Sequence, residues 1–371
     1  MKRRHLGRRL FVQGLTGSVV TRVLFGEDSP RNNLKLAASL LQKSVDRGVL
    51  SAASLYAQVG DLVVRRGFGA ADPDSVFLVA SITKPLTACG VMVLADRGLL
   101  KISDPVSRFI PEFSEGDRKL VTIRHLLTHT SGLPDQLPEN VELRRRQAPL
   151  EEFVERAIRT PLLFRPGTEV RYQSMGFLLA SEICQRILSF PFSEYLRNEV
   201  FEPLDMRQTA LGLGDIELSE TVQCQVDEAP DYYGGGDDKA SWNWNSPYWR
   251  NLGVPWGGAH STGPDLENFL HSFIEPRIGP LKTTTAESMI TNQNQGMSTP
   301  WGLGFMVQTD AFGARCPSGA FGHTGSTGTL CWADRETNTS CILLTTLPAV
   351  VSRKTLLEPV SDLVGEATSY R

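Results

Sequence analysis

The chain has 371 residues, of which 41% are hydrophobic and 21% are charged, and its formal net charge is −3. This is the composition of a globular protein with ample apolar material for a core, and the length suits one to three domains. A balance so close to neutral leaves no basic footprint, so no nucleic-acid partner is expected. No run of 18 apolar residues occurs, so no stable membrane span is predicted.

Positive charge is concentrated at the amino terminus. Arg8-Arg9-Leu10-Phe11-Val12 resembles a twin-arginine export signal, and a moderately apolar stretch, residues 14–26, follows it. Arg22 interrupts that stretch, and no small-residue cleavage site precedes Pro30. We expect residues 1–30 to be an export signal that takes the protein to the periplasm or the medium. A disordered basic tail on a cytoplasmic protein is the alternative.

The first predicted elements alternate between helix and strand. Residues 33–47 carry apolar side chains at helical spacing. Residues 52–59 and 62–68 are strand-like and are joined at Gly60-Asp61, which suits a tight hairpin. Residues 85–96 then predict a buried helix. This opening is typical of an α+β fold.

The middle of the chain is mainly helical, and its last part is rich in strands. Helices are predicted at residues 150–158, 176–190, 192–200, 263–274 and 356–367, and strands at residues 303–309, 320–323, 327–333 and 340–347. We therefore predict one α+β domain over residues 31–371, an antiparallel sheet flanked by helices plus a mainly helical subdomain. Its α/β part takes residues 31–100 and about 300–371, and its helical and loop-rich part takes about 101–299.

Residues 227–258 form a long irregular segment with many aromatic side chains, namely Tyr232, Tyr233, Trp242, Trp244, Tyr248, Trp249 and Trp256. A loop of this length inside a domain is usually a binding or lid element. A loop that packs on its own aromatic side chains is an equal alternative.

The stretch that carries chemistry is Ser81-Ile82-Thr83-Lys84, at the start of the predicted helix 85–96. Side chains three residues apart on a helix share one face. A serine hydroxyl is a weak nucleophile that needs a partner to take its proton. A lysine one turn away is such a partner when burial lowers its pKa. An N-cap serine without catalytic role is the alternative for this motif alone.

Two further motifs follow in order, Tyr172-Gln173-Ser174 and His323-Thr324-Gly325. The chain thereby resembles the serine β-lactamase and penicillin-binding-protein superfamily, in particular its class C β-lactamase-like esterases and peptidases, which show S-x-x-K, Y-x-N and [K/H]-T-G in this order. The resemblance runs from about residue 51 to residue 348. Other stretches that look alike are Leu126 to Leu133, Pro166-Gly167-Thr168 and Gly257 to Thr262.

The resemblance implies the roles of the site residues. Ser81 looks like the nucleophile that accepts the acyl group, and Lys84 and Tyr172 look like the pair that transfers protons. Either of the two is a candidate for the base. The oxyanion would lie between the backbone N–H groups of Ser81 and Ser326. The residues around this oxyanion site are expected to bind the substrate, namely Ser174, His323, Thr324, Gly325 and Ser326.

Two positions depart from the family pattern. Ser174 stands where the family usually has asparagine, whose amide reaches both the lysine and the acyl-amide group of the substrate. His323 stands where lysine is common, and a histidine near pKa 6.5 is mostly neutral at pH 7. Both features favour an ester or amide substrate over a β-lactam, and carboxylate-bearing substrates are expected to gain as pH falls through the His323 pKa.

We conclude from the sequence that the chain is a serine hydrolase without a cofactor, most simply a β-lactamase-like carboxylesterase acting on a small acyl substrate. The alternatives are a D-amino-acid peptidase or β-lactamase for cell-wall-type substrates, and a non-catalytic ligand-binding homologue. The oligomeric state is open.

Three lesser features complete the sequence-based interpretation. His125 and His129 have an i, i+4 spacing, but no glutamate follows His125, so no metal site is predicted. The run from Arg144 to Arg146 predicts a solvated helix face. Cys331 and Cys341 flank a predicted turn and would face each other in a symmetric hairpin; a disulfide is one hypothesis, and two free thiols are the preferred one.

Overall fold

A computed structural model describes residues 29–231, 241–307 and 309–370. The predicted export motif, Tyr232 and Tyr233 lie outside these residues, so export stays a prediction. Among the residues that the structure describes, no helix combines the length and the apolar character needed to cross a membrane.

The described helices and strands follow in chain order. The helices are α1 (Pro30–Asp46), α2 (Thr83–Asp96), α3 (Ile123–Leu127), α4 (Asn140–Arg145), α5 (Leu150–Arg159), α6 (Met175–Leu188), α7 (Phe192–Leu196), α8 (Pro247–Leu252), α9 (Gly263–Ile274), α10 (Thr283–Met289), α11 (Ala349–Ser352) and α12 (Glu358–Glu366). The strands are β1 (Ala52–Val59), β2 (Leu62–Gly69), β3 (Phe77–Leu78), β4 (Ala210–Leu211), β5 (Ala259–Ser261), β6 (Phe321–Gly325), β7 (Thr329–Asp334) and β8 (Thr339–Thr345).

A five-stranded antiparallel sheet joins the two ends of the chain, with the strand order β2-β1-β8-β7-β6. The predicted hairpin is confirmed, because β1 and β2 pair up to Val59 and Leu62 around Gly60-Asp61. A smaller sheet of order β3-β5-β4 lies beside the helical part of the chain. The fold is therefore α+β, as the sequence predicts.

Helices cover both faces of the large sheet. The helices α1 and α12 pack together on one face, where Leu41 and Val360 join the Trp332 side chain in one buried cluster. The other face is covered by α9, whose Phe269 and Phe273 join a second cluster. The sequence predicts α9 within the helical part, about residues 101–299, whereas in the structure α9 packs on the large sheet.

The predicted strand at residues 303–309 is wrong. In the described part of this segment, Met306 forms only isolated bridges, with Gly322 and Trp301. The chain turns at Gly304, which has a φ of 84° and whose N–H donates to the Leu127 carbonyl at 2.9 Å. A Cβ at Gly304 would lie 2.5 Å from the Ala88 Cβ, so the turn depends on glycine.

The hypothesis of a disulfide between Cys331 and Cys341 is also wrong, and the two thiols are free. In the β7–β8 hairpin, Cys331 pairs with Ile342, and Cys341 pairs with Trp332. The register is thus one residue away from a symmetric pairing of the cysteines. Since neighbouring strand residues alternate between faces, the two thiols lie in the two different clusters on opposite faces of the sheet.

Candidate active site

Ser81 lies in a single 3₁₀ turn, Ala80–Ile82, directly before α2. The residue before it, Ala80, has a φ of 48°, a left-handed conformation that costs a residue with a side chain on the order of 1–3 kcal/mol. Neighbouring groups hold the turn in place: Val79 N–H donates to the Ala259 carbonyl at 3.0 Å, and Thr83 Oγ1 donates to the Ala80 carbonyl at 2.7 Å. Strained, well-fixed backbone of this kind is common at functional sites.

The edge strand β6 packs against this turn. A Cβ at Gly325 would lie 2.5 Å from the Val79 carbonyl oxygen and 2.1 Å from Thr329 Oγ1. Only glycine permits so close an approach, which explains the glycine of the His323-Thr324-Gly325 motif. As a result, Ser326 follows β6 at the same cavities that Ser81 lines.

Lys84 lies in the first turn of α2 and is fully buried. Its Nζ donates to Ser81 Oγ at 3.2 Å and to the Trp256 carbonyl at 2.9 Å. Burial lowers the pKa of Lys84 to about 7, and the Asp135 carboxylate acts in the opposite direction. At neutral pH a large fraction of this amine is therefore unprotonated, as a base requires.

The Tyr172 ring lies over the lysine, with Lys84 Nζ 4.7 Å from the ring centroid. On its other contacts the ring stacks on His129, with centroids 4.7 Å apart, and meets Trp301 edge-on at 6.0 Å. His129 in turn accepts a hydrogen bond at Nδ1 from Gln173 N–H at 3.0 Å. His129 thus supports Tyr172 both through its ring and through the backbone of the next residue.

Ser174 does not reach toward the lysine. Its Oγ donates to Asp135 Oδ1 at 2.6 Å, and its N–H donates to the Asp135 carbonyl at 3.3 Å. Asp135 lies in the loop that follows α3 and is half-buried. Nothing in the sequence marks Asp135 as part of the site except that it is an acidic residue shortly after the Thr130-Ser131-Gly132 turn.

His323 lies on β6 and is 1% exposed, and its Nδ1 lies 2.6 Å from the Thr324 carbonyl. Burial and the nearby Lys84 lower the pKa of His323 to about 3. The expectation that His323 gains charge in the ordinary pH range is therefore wrong. The imidazole stays neutral there because it is enclosed next to another basic group.

Two cavities meet at Ser81, Tyr172 and Ser326. The narrow cavity, of about 30 Å³, is walled by Trp244, Trp249 and Trp256 and also touches Ser174, Gln136 and Arg144. The wide cavity, of about 210 Å³, is lined mainly by apolar side chains and by the β6 edge, with His323 and Thr324. The site is thus a cleft with a small and a large compartment on either side of the serine.

The prediction of a solvated helix face holds for Arg145 and Arg146, which are exposed, and is wrong for Arg144. Arg144 is 1% exposed, and its guanidinium lies 4.8 Å from the Trp242 ring and 4.5 Å from the Trp249 ring. It also donates from Nη2 to Gln136 Oε1 at 2.8 Å. Both alternatives for the segment 227–258 therefore hold in its described part: its tryptophans are buried against one another and against Arg144, and some of them also line the narrow cavity.

The two histidines with an i, i+4 spacing, His125 and His129, have different environments. His125 Nδ1 accepts from Thr122 N–H at 3.2 Å at the start of α3, while His129 lies beyond the end of that helix with a φ of 62°. Within residues 29–231, 241–307 and 309–370, no group of three metal-ligating side chains lies together. A larger cavity, of about 480 Å³, lies between α5, α6 and α8 and is lined by none of the predicted site residues.

The structure thus brings Ser81, Lys84 and Tyr172 into one cleft, with Ser174, His323, Thr324, Gly325 and Ser326 around it. The cleft lies where β6 of the large sheet meets the helical part, with the start of α2 at its centre. Over residues 37–360 the chain matches the model of the Beta-lactamase family, and it belongs to that family.

The similar proteins include hydrolases of several names. Esterase EstB of Burkholderia gladioli is 32% identical over 216 residues, which cover 52% of this chain and 55% of that protein. The solved structure of EstCE1, described as a hydrolase with promiscuous acyltransferase activity, has a TM-score of 0.73 and 19% identity, and covers 91% of this chain and 99% of that one.

A D-amino acid amidase from Ochrobactrum anthropi SV3 has the same TM-score of 0.73 at 22% identity, with 92% of this chain and 100% of that one covered. At these identities the structural likeness shows the fold alone. The chain spans 37–63% of the length of the most similar curated relatives.

Proposed function

We propose that this protein is a serine hydrolase of the carboxylesterase type, which transfers an acyl group to Ser81 and then to water. The observation that carries the proposal is the hydrogen bond of 3.2 Å between the buried Lys84 amine and Ser81 Oγ at the meeting point of two cavities. A binding protein needs a cleft, but it has no need of a nucleophile with a buried base beside it.

In the proposed acylation step, unprotonated Lys84 accepts the Ser81 hydroxyl proton while Oγ attacks the carbonyl carbon of the ester. The negative charge that develops on the carbonyl oxygen is stabilised by the N–H groups of Ser81 and Ser326. A donor in such a position is typically worth about 3 kcal/mol. The tetrahedral intermediate then collapses, the C–O bond to the alcohol breaks, and the alcohol leaves with a proton.

Lys84 is the better candidate for the base, because its amine contacts Ser81 Oγ directly and its pKa is about 7. Tyr172 is proposed to relay the proton between the lysine and the leaving group, since its ring adjoins Lys84 and it lines both cavities. In deacylation water attacks the acyl carbon, and the same groups move protons in the reverse direction. No cofactor enters either step.

An ester is favoured over a β-lactam because two groups that the family uses to hold a lactam are changed here. The Ser174 hydroxyl is engaged by Asp135, and His323 is buried and neutral. An ester requires neither anchor. The similarity to Esterase EstB and the membership of the Beta-lactamase family support an acyl-transfer reaction. D-amino-acid peptidase or β-lactamase activity and ligand binding without turnover are the competing functions.

The test is covalent labelling of the purified protein with a fluorescent fluorophosphonate, followed by hydrolysis of p-nitrophenyl butyrate. We expect one labelled site in the wild type and no label in Ser81→Ala. Ser193→Ala, a change in a half-buried serine of α7 that lines neither cavity at Ser81, is the matched control and should label normally. A wild-type protein that binds acyl ligands but neither labels nor turns over the ester would favour the non-catalytic alternative.

A further inference from the structure

The carboxylate of Asp135 is held beside the site by contacts between two loops. Ser174, in the loop before α6, donates to Asp135 through both its hydroxyl and its N–H. The preceding residue of that loop, Gln173, accepts a hydrogen bond at its side-chain oxygen from Ser131 Oγ. The loop that carries Asp135 is therefore attached at two points to the loop that carries Tyr172, and its carboxylate has a defined position.

The Asp135 carboxylate differs in charge from the other groups around the Lys84 amine. The two atoms that the lysine amine contacts by hydrogen bonds, Ser81 Oγ and the Trp256 carbonyl oxygen, belong to neutral groups. The titratable side chains that face the amine from β6 and from the loops around α3 and α6 are His323, His129 and Tyr172. Burial lowers the pKa of both imidazoles and of Lys84 itself, and the Asp135 carboxylate opposes the effect of burial on the pKa of the lysine.

We propose that Asp135, held by the Ser174 hydroxyl, is a positioning residue that sets the proton affinity of Lys84 and thereby the pH range in which Ser81 is activated. This inference rests on the proposed function of the Ser81–Lys84 pair. The Ser174 hydroxyl donates to this carboxylate at 2.6 Å and so fixes its position without removing its charge.

The proposal has a definite sign. A nearby negative charge favours protonated lysine, so removal of the charge lets Lys84 lose its proton at lower pH. The lysine then becomes a weaker base, and the rate at the plateau falls as well. Asp135→Asn, which keeps the size of the side chain and a hydrogen-bond acceptor for Ser174, should therefore move the acid limb of the pH profile and lower its plateau together.

The experiment measures kcat/KM for p-nitrophenyl butyrate between about pH 5 and pH 9, the range over which a base with a pKa near neutrality titrates. For Asp135→Asn we expect an acid limb lower by roughly one pH unit, the lower end of the effect of one nearby opposite charge. Asp135→Glu, which keeps the charge, should return the acid limb toward that of the wild type.

The matched control is Glu169→Gln, which removes an exposed carboxylate near Tyr172 in the sequence and should leave the profile unchanged. If Asp135→Asn lowered the plateau without moving the acid limb, Asp135 would only fix the loops and the inference would be overturned. Fluorophosphonate labelling of the same proteins keeps the two proposals apart. Absence of label in the wild type refutes the proposed function, whereas normal label with an unshifted limb refutes only the role of Asp135.

Discussion

Lys84 Nζ lies 3.2 Å from Ser81 Oγ, although the Ser81 turn is not part of the α-helix that carries Lys84. The left-handed Ala80 and the 3₁₀ turn hold the hydroxyl over the first turn of α2. The lysine is fully buried, and within the described part of the chain its amine donates one hydrogen bond besides that to the serine, to the Trp256 carbonyl. The pair therefore combines a fixed geometry with an amine that titrates near neutral pH.

Removal of any member of the proposed catalytic group should abolish most of the turnover. We expect Ser81→Ala, Lys84→Ala and Tyr172→Phe each to lower kcat for p-nitrophenyl butyrate by at least about 10³-fold, with little further loss in the double variants, because groups that act as a unit do not add. Circular dichroism and thermal unfolding check that each protein is folded. A Lys84→Ala protein of near wild-type rate would contradict the assignment of the base.

The pH dependence of the wild type should follow the lysine. The base form of Lys84 is the unprotonated amine, and burial places its pKa at about 7. The value of kcat/KM for a neutral ester should therefore rise through about pH 7 and decline tenfold per pH unit well below it. An acid limb near pH 4 instead would indicate a carboxylate as the base. Steady-state kinetics with overlapping buffers at constant ionic strength measures this limb.

The departures from the family pattern at Ser174 and His323 predict which substrates the protein hydrolyses. A β-lactam requires contacts that Ser174 and His323 do not offer here, and each lost hydrogen bond to a charged or amide group is worth roughly 1.5–3 kcal/mol. We expect measurable hydrolysis of p-nitrophenyl butyrate with poor turnover of nitrocefin. Because His323 stays neutral, a carboxylate-bearing ester should show no gain relative to a neutral ester between about pH 5 and pH 7.

Variants at position 174 test that explanation. Ser174→Asn restores the amide of the family pattern and should raise the ratio of nitrocefin to ester turnover, whereas Ser174→Ala should not. The idea fails if the wild type already turns over nitrocefin more efficiently than the ester. His323→Lys is a less suitable test, because a buried lysine next to Lys84 is expected to destabilise the protein.

A buried glutamate should make stability depend on pH. Glu267 on α9 is 6% exposed beneath the large sheet, and burial raises its pKa from 4.5 to about 7. Because the native state holds this proton more tightly than the unfolded chain, the free energy of unfolding should fall as pH rises between these two values, by about 3 kcal/mol. Glu267→Gln should remove this component.

Urea unfolding of both proteins at pH 5 and pH 8 measures the effect. The quantity of interest is the difference between the two pH values in the wild type minus the same difference in Glu267→Gln. Asp74→Asn, a change in an exposed carboxylate of a surface ion pair, is the control and should leave the pH dependence nearly unaltered. An equal pH dependence in the wild type and Glu267→Gln would show that Glu267 is not titrating in the buried state.

The cysteines should behave as buried thiols. Cys331 and Cys341 are 2% and 0% exposed and lie on opposite faces of the sheet, and burial raises the pKa of both thiols. We expect slow reaction of these two thiols with a thiol reagent in the native protein, reaction of all six cysteines in denaturant, and no change in Tm on addition of dithiothreitol. A lowered Tm under reducing conditions would indicate a disulfide.

Local patterns in the sequence were sufficient for most elements and for the catalytic motifs. The hairpin at Gly60-Asp61, the helix of Lys84 and the sheet strands near the carboxyl terminus follow from periodicity and turn residues, which act over a few residues. The S-x-x-K, Y-x-S and H-T-G motifs, in this order, resemble those of the serine β-lactamase superfamily, and that resemblance implies that Ser81, Lys84 and Tyr172 share one site. The predictions of helices, strands and turns depend on interactions between near neighbours in the chain, and the sequence displays those directly.

Burial, charge state and long-range pairing were decided by the tertiary structure alone. Histidine and arginine side chains are usually exposed to solvent. His323 and Arg144 are nevertheless buried, because elements distant in the sequence pack around them. The register of β7 and β8 pairs Cys331 with Ile342, one residue beyond Cys341. The spacing of the cysteines in the sequence does not reveal this shift of the register. The sequence does not identify Asp135, because its position at the site depends on a hydrogen bond from Ser174, 39 residues further along the chain. The environment of a side chain is set by whichever segments fold against it, so its pKa and its partners follow from the fold.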